Sequence, residues 1–295
     1  MRVGLGLPIG ERGDPPRAKP YSELRHQARL AEDGGLGSVW VADHLFFQPP
    51  DGAPRRGLWE SMTVLAALAD ATQRVELGPL VLCGPFRNPG LVASMANTLE
   101  EVSGGRFVLG MGAGWHEPEF RAFGFEFNRR VSYLADTLEI VVPLLRTGRV
   151  DYNGRLLSGH AELRPRGPRP NGPPILLAGS KPRMMALTAR WADRFNTAWY
   201  GLPDDDYRTE MDNLGAACAA LGRDVAEIEI SVGLEVHERG PAAGEGADFL
   251  HGPPERLADG FAAWRDQGVA EIICRLDPAS PEMVERIIRA TALLS

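Results

Sequence analysis

Lysine is almost absent from this chain of 295 residues: Lys19 and Lys181 are the only two among 32 basic side chains, and arginine supplies the rest. Cysteine is scarce as well. Cys83, Cys218 and Cys274 are odd in number and far apart in sequence, which excludes a disulfide frame or a cysteine-rich zinc site and fits reduced thiols in a cytoplasmic protein. No stretch approaches the ~18 uninterrupted apolar residues of a membrane span, and the opening residues lack the form of a secretory signal. A basic excess is missing too: the net charge of -7 argues against nucleic acid as a partner. No Gly-x-Ser-x-Gly nucleophile elbow is present, and neither Gly4-Leu5-Gly6 nor Gly112-Ala113-Gly114 completes the dinucleotide fingerprint.

Charge is unevenly spread. Between positions 146 and 183 stand eight basic residues (Arg146, Arg149, Arg155, Arg164, Arg166, Arg169, Lys181 and Arg183) against only Asp151 and Glu162. Such a stretch is either a solvated loop or a rim that attracts a small anionic ligand.

Apolar strand-like runs at 3–7, 38–42, 75–82, 107–111, 175–178, 194–198, 228–236 and 271–276 alternate with eight segments of helical spacing. Strands apolar on both faces, each followed by a helix, indicate a parallel sheet covered by helices. Eight units in a chain of this length predict a (β/α)8 TIM barrel, with a doubly wound open sheet as the alternative. Residues 148–173 are rich in Arg, Pro and Gly and hold Tyr152-Asn153-Gly154-Arg155, the turn of a small hairpin inserted before strand five. Residues 239–252 form a Gly/Ala/Pro loop after strand seven. With no internal repeat and no linker, residues 1–295 read as one domain.

In a parallel barrel, chemistry gathers at the carboxyl ends of the strands. Strand two ends in Asp43-His44 and strand three runs through Leu80-Val81 to Cys83. Strand four enters Gly112-Ala113-Gly114-Trp115-His116, strand five ends in Gly179-Ser180, and strand six ends in Trp199. Aromatic rings and small residues around one mouth suit a planar heterocycle, because glycine admits close backbone approach. His44 beside Asp43 is a candidate acid/base pair, with a structural histidine as the alternative. Gly179 and Ser180 precede a helix, where a phosphate or a simple cap would fit equally. His116, Glu117 and Glu119 read as an exposed first helical turn, since no second histidine pair completes a metal site.

The stretches 31–45 (AEDGGLGSVWVADHL), 72–89 (TQRVELGPLVLCGPFRNP), 99–124 (LEEVSGGRFVLGMGAGWHEPEFRAFG), 173–196 and 252–268 together resemble the luciferase-like monooxygenase superfamily, above all its members that use the deazaflavin coenzyme F420. The resemblance implies a homodimeric barrel with the cofactor at its mouth and a small-molecule substrate. It implies a non-proline cis peptide at Leu80–Val81 behind the cofactor ring, with Gly112, Ala113 and Gly114 at the same site and the cofactor phosphate at Gly179 and Ser180. His44 becomes the proton-handling residue, tuned by Asp43, with Trp115 and Trp199 shaping the substrate pocket. The sugar-phosphate dehydrogenases of the group carry a glutamate where this chain has Trp115, so their acid/base partner is missing and that activity is not expected. The leading expectation is therefore hydride transfer with coenzyme F420, whose acidic tail would lie on the arginine-rich rim. The alternative is a monooxygenase using reduced FMN and O2, served by a separate reductase. A barrel that merely binds a ligand is the third.

Overall fold

The computed structural model describes residues 1–13, 15–49, 52–241 and 248–294, so residues 242–247 of the loop expected after strand seven lie outside the described residues. Eight parallel strand positions form the central sheet. They are β1 (Arg2–Leu7), β2 (Ser38–Val41), β3 (Glu76–Pro79, resumed as Leu82–Cys83), β4 (Leu109–Gly112), β5 (Ile175–Ala178), β6 (Arg194–Tyr200), β7 (Glu229–His237) and β8 (Glu271–Asp277). The helices are α1 (Tyr21–Asp33), α2 (Ser61–Ala71), α3 (Pro89–Val102), α4 (Glu117–Phe123), α5 (Arg130–Thr147), α6 (Pro182–Trp191), α7 (Asp205–Ala220), α8 (Pro254–Asp266) and α9 (Pro281–Ala292). β1 pairs with β8 on one side and β2 on the other, and the ladder runs round to β4 beside the second piece of β3. The ring closes through Leu77, whose N–H donates to Arg106 O (3.1 Å) and whose carbonyl accepts from Val108 N (2.9 Å). The closed barrel expected from the sequence is the observed fold.

Alternation along the strands explains both cores. Trp40, Val108, Leu176 and Ile273 point into the barrel and are fully buried. Their sequence neighbours Val39, Leu109, Leu177 and Ile272 point outward and pack against the helices. The helices answer with inward stripes, as in α9, where Met283, Val284, Ile287 and Ala290 are buried and Ser280 caps the first turn. The inserted hairpin pairs Arg149–Asn153 with Ser158–Glu162 and turns at Gly154, whose N–H bonds to Leu157 O (2.9 Å). Among the described residues no helix is long and apolar enough to cross a membrane.

Two expectations change. β3 is not one run over 75–82, because it breaks at a cis Leu80–Val81 peptide, the bond that the resemblance implied, before resuming at Leu82. A second non-proline cis bond, Ala198–Trp199, was not foreseen and coincides with a register shift between β6 and β7.

Most of the arginine-rich stretch is also not a rim of the barrel mouth, which of its eight basic residues Lys181 lines. Arg146 donates to Pro173 O (3.2 Å) and pairs with Asp193, at the starts of β5 and β6. Arg169 bonds to Glu100 (Nη2 to Oε2, 2.6 Å) and to Phe107 O, ahead of β4. Arg166 is spent on the carbonyls of Leu145, Arg146 and Pro170, while Arg149 and Arg164 share Glu162 on the hairpin. These guanidiniums satisfy carboxylates and carbonyls at the amino ends of the strands or on the hairpin, so sequence density of charge did not translate into a free anion site.

Glu100 is completely buried, and Arg169 is its partner. Arg169→Leu should destabilise the protein by roughly 3–5 kcal/mol, the cost of leaving a buried charge unpaired, tending to the low end because Arg169 is partly exposed. Chemical denaturation would measure this. A midpoint unchanged from wild type would show that the pair carries no stability.

Candidate functional site

The carboxyl ends of the strands surround a cavity of about 420 Å³. Apart from His116, the residues singled out at the strand ends line it: Asp43 and His44 after β2, Leu80 and Val81 in the break of β3 with Cys83 beyond it, and Gly112 at the end of β4 with Ala113, Gly114 and Trp115 after it. Gly179 and Ser180 after β5 and Trp199 in β6 complete the set. The local backbone requires two of the glycines. A Cβ on Gly112 would stand 2.6 Å from Val81 Cγ2, so only glycine lets β4 lie against the broken strand. Gly114 has φ +77° and would also meet Cys83 Sγ at 2.7 Å.

His44 does not pair with Asp43. Its Nδ1 lies 2.7 Å from Glu119 Oε2, on α4. Glu119 is 1% exposed, and its other oxygen accepts the N–H of Leu45 and that of Phe46 (3.1 Å). The carboxylate therefore grips the loop after β2 at three points. Because it can only accept, it fixes the His44 proton on Nδ1 and leaves Nε2 without a hydrogen-bond partner among the described residues. The rings of Phe47, Trp115 and His116 stand edge-on to the imidazole, Trp115 at 5.6 Å and itself 64% exposed.

Asp43 serves a different set. Its Oδ1 accepts from Ser61 Oγ (2.7 Å) and Arg87 Nη2 (2.8 Å), and its Oδ2 from Cys83 N (2.8 Å) and Arg87 Nη1 (2.7 Å). The expected tuning of His44 by its neighbour in sequence is thus replaced by Glu119, 75 residues away.

The exposed helical turn expected at 116–119 is also revised, since His116 and Glu119 are buried. His116 Nε2 accepts the Gln48 N–H at 2.9 Å, so its proton sits on Nδ1 and the ring is neutral. Burial pushes its pKa down, and His44 nearby pushes the same way, while Glu119 opposes them. Glu119 and Phe120 form the inward face of α4 and His116, the residue just before the helix, is buried with them; that i, i+3, i+4 spacing is the signal in the sequence that could have found them.

Cations at the cavity are few. Lys181 lines it at the start of α6, where it makes no side-chain cap, and Arg130 lines it from the first turn of α5, tied to Gly114 O (3.0 Å) and Phe127 O (3.1 Å). Burial pushes the Cys83 thiol far up, and the carboxylates of Asp43 and Glu119 add to it, which keeps this wall uncharged.

A family model described as luciferase-like monooxygenase matches residues 1–243. The 5,10-methylenetetrahydromethanopterin reductase of Archaeoglobus fulgidus is 29% identical over 204 residues, covering 69% of this chain and 56% of the relative. Pyrimidine monooxygenase RutA of Methylorubrum extorquens is 32% identical over 245 residues, covering 77% of this chain and 63% of the relative. The chain thus spans less than two thirds of the length of either. The solved structure of an F420-dependent secondary alcohol dehydrogenase, in complex with an F420-acetone adduct, matches with a TM-score of 0.84 at 16% identity. It covers 100% of this chain and 99% of that one, a likeness of fold.

Because His116 is held neutral, its folded pKa lies below the ~6.5 of an unfolded imidazole. The unfolded chain then binds more protons on acidification, so this group's contribution to stability is lost as pH falls through that value. His116→Gln keeps an acceptor for Gln48 N and cannot charge. Its melting temperature should therefore drop less than that of wild type between about pH 7 and 5, and identical slopes in a calorimetric pH series would contradict the assignment.

Proposed function

The chain belongs to the luciferase-like monooxygenase family, and from that premise we propose that it transfers a hydride between a deazaflavin, coenzyme F420, and a small organic substrate whose oxygen gains or loses a proton at His44. The observation that carries the reading is the His44–Glu119 pair at the cavity wall, with Nε2 uncommitted. Oxidoreduction at an alcohol or carbonyl moves a proton with the hydride, and an imidazole held in one tautomer by a buried carboxylate suits that task.

The cavity suits a flavin-type group. Its volume falls within the ~300–1,000 Å³ of small-molecule sites. Leu80 and Val81 offer an apolar floor, and Gly112 leaves free the space that a side chain would fill. The Gly179–Ser180–Lys181 segment, with the amino end of α6 behind it, would hold a phosphate through backbone amides and the Lys181 ammonium. When bound, the deazaflavin supplies a ring carbon that donates or accepts hydride. Glu119 holds the imidazole in place, His44 Nε2 takes or returns the substrate proton, and Trp115 and Trp199 restrict access from the open side.

A second reading, a monooxygenase using reduced FMN and O2 with a separate reductase, draws support from a specific observation. The arginines that would have matched an acidic cofactor tail are mostly paired at the amino ends of the strands or on the hairpin, and Lys181, which does line the mouth, matches a single phosphate. Titrating the protein with coenzyme F420 and with FMN, followed by anaerobic turnover of small alcohols and carbonyl compounds, separates the two. Oxygen-independent bleaching of the deazaflavin is the expected result, whereas tight FMN binding with turnover only in O2 would replace the first reading by the second. In either reading His44→Ala should lower kcat by about 10²–10⁴-fold with cofactor affinity nearly unchanged. Loss of cofactor binding with unchanged turnover at saturation would make His44 a binding residue instead.

A further inference from the structure

Asp43 and Arg87 form the most heavily bonded ion pair beside the cavity, and no step of the proposed reaction uses it. The pair is bidentate, at 2.7 and 2.8 Å, with side chains 4% and 12% exposed. The Asp43 carboxylate accepts two further bonds, from Cys83 N and Ser61 Oγ, so its lone pairs are filled. Arg87 reaches on to Glu60 Oε1 (2.7 Å), and Glu60 itself caps α2 through Met62 N and Thr63 N. One guanidinium thus ties together the end of β2, the segment after the break in β3, and the first turn of α2.

Each of these attachments leads to an atom of the site. Asp43 precedes His44 in the chain, and Cys83 stands two residues after Val81, the floor of the cavity. A planar, bidentate Arg–carboxylate contact fixes orientation as well as distance, which a lysine or a solvated aspartate would not.

We propose that Asp43 and Arg87 are positioning residues that hold the proton-handling loop and the cofactor floor in one fixed relation, and that Asp43 takes no part in proton transfer. The proposal rests on the functional reading above for its catalytic consequence and not for its mechanical one. Arg87→Met keeps the aliphatic stem and removes the fork. In the unliganded variant, amide hydrogen exchange should accelerate in two separate segments, 43–47 and 80–87, relative to distant strands such as β7. In the loaded enzyme, kcat should fall on the order of 10²-fold, the effect of sub-ångström to ångström misplacement. The visible spectrum of the bound cofactor should also shift, because its floor has moved.

Loss of stability alone would produce part of this, so Asp43→Leu/Arg87→Met is the companion variant. Removing both charges should restore the melting temperature towards wild type, while kcat and the cofactor spectrum stay impaired. Arg87→Lys should retain more stability than Arg87→Met and recover kcat incompletely. Exchange confined to 80–87, or a double variant that regains wild-type kcat and spectrum along with its melting temperature, would overturn the proposal. If wild type binds neither FMN nor the deazaflavin, the functional reading fails, and the two-segment exchange result still decides the clamp.

Discussion

A single buried carboxylate, that of Glu119, sets the geometry on which the rest of the site depends. Burying an ion without partners is costly, and Glu119 meets that cost by accepting from one imidazole and two backbone amides. The loop after β2 would otherwise leave the Leu45 and Phe46 amides unsatisfied in a partly buried place. Helix α4 is therefore docked onto that loop by polar contacts, with His116 adding a fourth point at Gln48. His44 has a defined ring orientation because it belongs to this arrangement.

The barrel was legible because its signal is repetitive. Eight apolar runs and eight helical segments each point the same way, and inward and outward positions such as Trp40 and Val39 come from the period of two. Barrel topology brings all the carboxyl strand ends to the same side, so position just past a strand was enough to place Leu80, Val81, Gly112, Gly179, Ser180 and Trp199 at one cavity. Partnerships were not legible in the same way. Asp43 and His44 are adjacent in sequence, but successive side chains leaving a strand diverge, and each found a carboxylate or guanidinium far along the chain. Glu119 was hidden because a short helix rich in Glu reads as a solvated turn unless its inward stripe is counted.

The arginines teach the complementary lesson. A run of eight basic residues against two acidic ones looks like a field directed at a ligand, yet Arg146, Arg166 and Arg169 are consumed locally by carbonyls and by Asp193 and Glu100. Formal charge per segment counts residues, whereas the potential at a site depends on which of them remain unpaired and on which end of the barrel they stand. Of the stretch, Lys181 lines the cavity, together with Arg130 from outside it.

The amino end of the barrel carries its own polar plug. Glu271 accepts from Ser38 Oγ, and Arg194 forks onto Glu76 (2.7 and 2.9 Å). Burial pushes the Glu271 carboxyl above its ordinary range, while the Ser38 hydrogen bond and the guanidiniums of Arg2 and Arg194 pull the other way. This plug and the arginine anchors sit at the face away from the cavity, so sequence drift or laboratory repacking there can trade ionic for apolar packing without touching the residues at the mouth. The mouth is held by ion pairs of its own, Asp43 with Arg87 and Glu119 with His44, so its loops do not lean on that plug. Such a division of labour separates what closes the barrel from what arranges its cavity.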